Sequence, residues 1–219
     1  MSMAIKVGFL FDRDNDWINR ELTGLKWLPE FVARYEYIES FELDDVTGID
    51  LLFILGYTKI LPVQFLDTNG LNLVVHESAL PLGGGFSPVQ WQVIEGVNEI
   101  PACLIEAVNP VDSGEIYGTT MIRLDGHELM PEIRMAQAGA TKELIISFLS
   151  MFPNVTKVPQ LGNATYYRRR SREDDRIDPD KTIREQFNQL RVADNDLYPA
   201  YFEINGVKYL LHITKDKIR

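Results

Sequence analysis

Residues 71–112, LNLVVHESALPLGGGFSPVQWQVIEGVNEIPACLIEAVNPVD, constrain the chain more than any other stretch. An apolar run from Leu71 to Val75 ends at His76, and a Pro/Gly loop follows. Ser87-Pro88 then puts a capping hydroxyl and a first-turn proline at a helix start, and Gly96 supplies a stop, so a helix is expected over residues 87–95. A second strand near residues 100–107 runs into a loop carrying Asp112. In open α/β sheets ligands bind outside the carboxyl ends of the strands, so a histidine closing one strand and an acid after the next suggest an active site. If residues 71–76 are extended, Asn72, Val74 and His76 share one face.

The chain before this stretch begins with AIKVGFLF, residues 4–11, a short apolar run suited to a strand buried on both faces. Asp12-Arg13-Asp14-Asn15-Asp16-Trp17 follows, then a helical pattern to about Leu25. The loop reads equally as capping by Asp14 or Asn15 and as a ligand loop above the first strand. It has neither GxGxxG nor a P-loop, which argues against a standard dinucleotide or nucleotide triphosphate site. Residues 31–43 read as a short strand with its flanks, and residues 49–55 as a cleaner one ending in GYTKILP, a turn feeding a short helix.

Beyond Asp112, residues 119–123 suit a strand, and residues 141–152 an amphipathic helix with Leu144, Ile145, Phe148 and Leu149 inward. Arg168-Arg169-Arg170 and Glu173-Asp174-Asp175 make a mixed charge run, which reads as a solvated face. Asp178-Pro179 is expected to open a helix with Ile183, Phe187 and Leu190 inward. Asn205-Gly206, between runs at residues 201–204 and 207–212, is a strong hairpin signal. The hairpin edge could pair with a second copy, so a homodimer is allowed.

Composition narrows the partners. A net charge of −10 argues against a nucleic-acid partner, although a local pocket could still take a small phosphorylated ligand. No apolar run approaches the ~20 residues of a membrane span, and no secretory signal opens the chain. Cys103 is the single cysteine, so an internal disulfide is excluded and a reducing, cytoplasmic setting is expected. No metal site is expected.

The run VVHESALPLGGGFSPVQWQVIEG resembles the signature of the folate-dependent formyltransferases, which read Asn-x-His, Ser, Leu-Pro, a Gly-rich loop and a Pro-led helix ending in Gly. Asp112-Ser113-Gly114-Glu115-Ile116 resembles the family's second signature, GYTKILP the turn before its folate pocket, and residues 164–202 the segment after its catalytic core. The resemblance implies an α/β fold: a Rossmann-like catalytic domain with a mostly parallel sheet over residues 1–152. A connecting segment, small helix and β-hairpin would follow over residues 153–219. It implies transfer of formyl from 10-formyltetrahydrofolate to a primary amine. The chain ends before the C-terminal barrel that methionyl-tRNA members use, which with the acidic balance favours a nucleotide-linked amino sugar, as in pseudaminic-acid-type pathways.

By the same resemblance, His76 handles the proton of the attacking amine or steadies the oxyanion, and Asp112 orients it. Folate would lie against Lys59, Ile60 and Leu61 and against the loop with Ala107 and Asn109. The sugar nucleotide is expected at Arg13, Asn15 and Trp17 and at Asn188, Arg191 and Tyr198. Val74 departs from the pattern: the family has Asn there, and valine has no side-chain donor. A lost oxyanion donor typically costs ~2.7–4 kcal/mol of barrier. Two alternatives follow: a formyltetrahydrofolate hydrolase, or a binding protein on a catalytically decayed scaffold. Hydrolases carry an added N-terminal domain, which is not expected before Ala4.

Overall fold

A computed structural model describes residues 4–30 and 34–216. Phe31, Val32 and Ala33, part of the expected second strand, lie outside the described residues. β1 (Lys6–Phe11) is followed by α1 (Asp16–Leu22), β2 (Glu36–Ser40) and β3 (Leu51–Leu55). β1 pairs in parallel with β2 on one side and with β3 on the other. Every residue of β3 is buried, which is why it reads as a continuous apolar run rather than an alternation. After α2 (Val63–Leu66), β4 (Leu71–His76) adds to β3, again in parallel.

The direction then reverses. β5 (Gly84–Gly85) and α3 (Pro88–Ile94) lead to β6 (Glu99–Glu106), which lies antiparallel to β4. β7 (Ile116–Arg123) is antiparallel to β6, completing the order β2-β1-β3-β4-β6-β7. The sheet is parallel through four strands and mixed at one edge.

α4 (Met130–Met151) packs across one face of this sheet through Ile133, Leu144, Ile145, Phe148 and Leu149. The Phe148 ring meets Phe53 edge-on at 5.8 Å, and Phe53 stacks on Phe9 at 5.3 Å, so helix and sheet share one aromatic column. The helix starts well before the expected residue 141. Pro131 occupies its first turn and Glu132 accepts the Leu129 N–H at 2.8 Å. Between Ile133 and Leu144 it buries Gln137, Ala138, Ala140 and Thr141, small or polar groups that interrupt the apolar stripe.

The tail corrects two expectations. After β8 (Tyr166–Tyr167), the charged run folds into a knot rather than a solvated face. Asp175 is buried between Arg170 at 2.7 Å and Arg172 at 2.8 Å, and Asp174 pairs with Arg168. The expected helix from Asp178 is absent among the described residues; only α5 (Phe187–Arg191) forms, and Ile183 is exposed. The Gln186 amide bonds both the Asp178 N–H and C=O, closing a loop that competes with helix there. β9 (Ala200–Ile204) and β10 (Val207–Leu211) form the expected hairpin, with Asn205 and Gly206 at φ 52° and 78° as a primed turn requires. No helix among the described residues is long and apolar enough to cross a membrane.

Candidate active site

His76 closes β4, level with Cys103 of β6. Its Nδ1 lies 3.4 Å from Asp112 Oδ1, and its Nε2 lies 2.9 Å from the Gly83 carbonyl oxygen. Both side chains are largely buried, at 9% and 12% exposure. The two ring nitrogens therefore face oxygen acceptors, and the ring can donate at both ends only when both nitrogens carry hydrogen. The Cys103 thiol donates to the Ser78 carbonyl at 3.1 Å, and burial pushes its pKa up, so it is an inert neighbour.

Asp112 arrives by an unexpected route. Because β6 runs against β4, its end at Glu106 is level with Leu73, three residues below His76. The loop of residues 107–115 must therefore climb back about 10 Å across the sheet face. Two devices hold it. The Gln160 side chain donates at 2.8 Å to both the Asp112 and the Gly114 carbonyls. Gly114 packs so closely on Glu106 that a Cβ there would collide with the Glu106 carbonyl oxygen. Gly114→Ala is expected to destabilise the fold by about 1–3 kcal/mol, a typical overpacking cost, and to lower activity by displacing Asp112. Thermal melts and an activity assay check this; an unchanged melting temperature would mean the loop yields freely.

The glycine loop is held from the other side by the tail. β8 pairs in parallel with β5. Gly83 N–H donates to Thr165 Oγ1 at 2.9 Å and Phe86 N–H to Tyr167 O at 3.1 Å. Gly85 donates to Asp112 Oδ2 at 2.8 Å; its φ of 94° and the Tyr167 carbonyl against its Cα leave no room for a side chain. Ser87 consequently sits at φ 52° and makes no side-chain cap, contrary to the expected capping. A pocket of about 200 Å³ opens here, lined by Leu80, Pro81, Gly84, Asp112, Gln160 and Tyr166 among others. Asp112 reaches the pocket, and His76 lies behind it. Gln160, Thr165 and Tyr166 went unread in the sequence, where a Tyr-Tyr pair was the sole local hint of pairing.

The remaining expected residues are dispersed. Lys59 and Ile60 are exposed in the loop after β3, and Leu61 packs partly beneath it. That loop is fixed by Asp12, which accepts the Thr58 N–H at 3.0 Å and its hydroxyl. Burial works to raise the Asp12 pKa, but the Thr58 and Asp14 hydrogen bonds outweigh it and hold the carboxyl below its usual value. Ala107 N–H donates to Asn72 O at 2.8 Å, and Asn109 is exposed. Arg13 pairs with Glu42 at 2.7 Å, and Asn15 donates to Gly56 O at 2.8 Å instead of capping α1. Trp17 carries the Arg134 guanidinium on its ring. Tyr198 is 61% exposed.

Asn188 and Arg191 are corrections. Arg191 is 1% exposed, and it donates to Glu128, Asn98 and Asn188, so these groups brace the fold rather than face a ligand. Asn72 does not substitute for the missing amide at Val74 either. It is 7% exposed, donates to Leu66 O at 2.9 Å and accepts from Asn69.

Residues 37–149 match the family described as formyl transferase. The methionyl-tRNA formyltransferase of Synechococcus elongatus is 31% identical over 180 residues, 80% of this chain and 53% of that protein. The chain thus spans about half the length of the curated relatives it matches. A solved methionyl-tRNA formyltransferase from Clostridium thermocellum superposes with a TM-score of 0.80 at 19% identity, covering 97% of this chain and 94% of that one. A 4-N formyltransferase from Francisella tularensis superposes at 0.70 and 17% identity, covering 98% and 99%. The two structural likenesses establish the shared α/β fold, and the sequence match over residues 37–149 places the chain in the formyl transferase family.

Proposed function

We propose that the protein transfers a formyl group from 10-formyltetrahydrofolate to the primary amine of a nucleotide-linked amino sugar. The observation that carries this reading is the meeting of His76 and Asp112 beside one pocket, despite the opposed strands that bring them there. The amine nitrogen attacks the formyl carbon, forming the new C–N bond and a tetrahedral oxyanion. Nε2 of His76 exchanges its bond to the Gly83 carbonyl for the amine and takes the proton the nitrogen loses, while Asp112 beside Nδ1 stabilises the resulting imidazolium and fixes its tilt. As the bond from carbon to folate N10 breaks, that proton returns to N10, leaving the formamide and tetrahydrofolate. Lys59, Ile60 and Leu61, with Ala107 and Asn109, form the folate side of this reading; Arg13, Asn15, Trp17 and Tyr198 form the sugar-nucleotide side.

A small acceptor is favoured over tRNA by charge. A surface that neutralises many phosphates needs clustered cations, and this chain has a net charge of −10. The test supplies purified protein with 10-formyltetrahydrofolate and, separately, dTDP- and UDP-linked amino sugars, methionyl-tRNA, or no acceptor. Mass spectrometry reads the formylated product and absorbance the released tetrahydrofolate. A formylated amino sugar is the expected result. Formylation of methionyl-tRNA alone would overturn the acceptor, and tetrahydrofolate release without any acceptor would make the protein a hydrolase.

A further inference from the structure

Arg134, in the first turns of α4, is a cation held by neutral groups, with no acidic partner in contact. The chain has 32 carboxylate side chains, yet among the described residues none lies within ion-pair distance of this guanidinium. It is half-buried, and burial pushes its pKa down to about 10. Its Cζ sits 4.4 Å from the centre of the Trp17 ring. Its Nη1 donates to Gln137 Oε1 at 3.0 Å, and the Gln90 amide, turned to satisfy both its ends, accepts from its Nη2 at 2.8 Å. Gln137 also donates to Glu77 Oε1 at 3.2 Å, so that carboxylate is held back by one intervening amide. Glu77 and Asp194 act on the cation only from a distance, and Arg170 opposes them.

Neutral amides and an aromatic face orient a guanidinium without cancelling its charge. Removing a cation from water is costly unless an anion meets it. The arrangement is the one expected of an arginine kept for an incoming anion, because its planar fork suits phosphate oxygens. Its place fits too: Glu77 follows His76 directly, and Trp17 opens α1 above β1. We propose that Arg134, seated on Trp17 and steered by Gln90 and Gln137, is the anchor for the diphosphate of the nucleotide-linked acceptor. The inference rests on the acceptor class given above and adds the residue that selects it.

The test uses the full chain and nucleoside diphosphates, dTDP and UDP, with binding measured by isothermal titration calorimetry. Arg134→Gln is expected to weaken binding by about 10- to 100-fold, the effect of losing a charge-assisted pair. Arg134→Lys, which keeps charge but not the fork, should fall between the two. Tetrahydrofolate affinity and circular dichroism should be unchanged in both variants, and the lysine variant keeps the test readable if the glutamine variant unfolds. Equal nucleotide affinity in wild type and Arg134→Gln, or no nucleotide binding by the wild type, would overturn the anchor. Formylation of amino sugars with unchanged nucleotide affinity would remove the anchor alone. Arg134-dependent nucleotide binding without any formylation would keep the anchor and remove the acceptor reading.

Discussion

Replacing His76 with alanine is expected to lower the rate of formyl transfer by about 10²- to 10⁴-fold, the range for loss of a positioned acid–base group. The effect should fall on kcat, because His76 lies behind Asp112 rather than along the pocket wall where the acceptor would rest. His76→Gln separates chemistry from packing. Glutamine keeps an N–H that can reach the Gly83 carbonyl, now 2.9 Å from Nε2, but it cannot take up a proton at neutral pH. Both variants should therefore be slow and both free Asp112 from the imidazole, while only the alanine also leaves the Gly83 carbonyl without its partner. The measurement is single-turnover transfer with circular dichroism as the fold control. A folded His76→Ala protein that transfers formyl at the wild-type rate would end the assigned role.

How much of this was legible can be argued from single elements. β1 and β3 were readable because strands covered on both faces must be apolar throughout, and the terminal hairpin because Asn205-Gly206 is demanded by its turn. The direction of β6 was not. A strand's composition carries no sign of which way it runs, and a helix before it ordinarily signals a parallel return. The sequence thus brought His76 and Asp112 into one site while hiding the climb of residues 107–115. The clasp of Thr165 and Tyr167 on the glycine loop was hidden for a related reason. It is made of backbone groups and one hydroxyl across a long separation, which leave no periodic mark. Arg170, Arg172 and Asp175 show the same limit, since charges look solvated in sequence until folding pairs them. Arg191 failed in the opposite sense: its suitability for a phosphate was read correctly as chemistry, but its donors are already bonded inside the fold.

That buried arginine gives the largest expected loss of stability. Arg191→Met keeps the apolar stem and much of the volume but removes the cation facing Glu128 at 3.0 Å. It also leaves the Glu128 carbonyl, Asn98 Oδ1 and Asn188 Oδ1 without a donor they now share. Breaking a buried pair from one side costs about 3–5 kcal/mol, which for a chain of this size lowers Tm by roughly 6–20 °C. An exposed pair sets the scale: Arg13→Ala should cost at most about 1 kcal/mol. The pH dependence has a definite sign. Burial works to raise the Glu128 pKa, but backbone N–H groups of Asp125, Glu128 and Gly126 outweigh it and hold the carboxyl below its usual range. The carboxylate's contribution is therefore complete above about pH 4.3 and is lost as pH falls through the lowered folded value. Melts across that interval should show both proteins losing stability in acid, since both keep the backbone bonds to Glu128, with the gap between them narrowing as protonation removes the charge that Arg191 faces. A variant that melts with the wild type at neutral pH would mean that the charge bridging α5 to the start of α4 is idle, and Arg191 would return as a ligand for the acceptor.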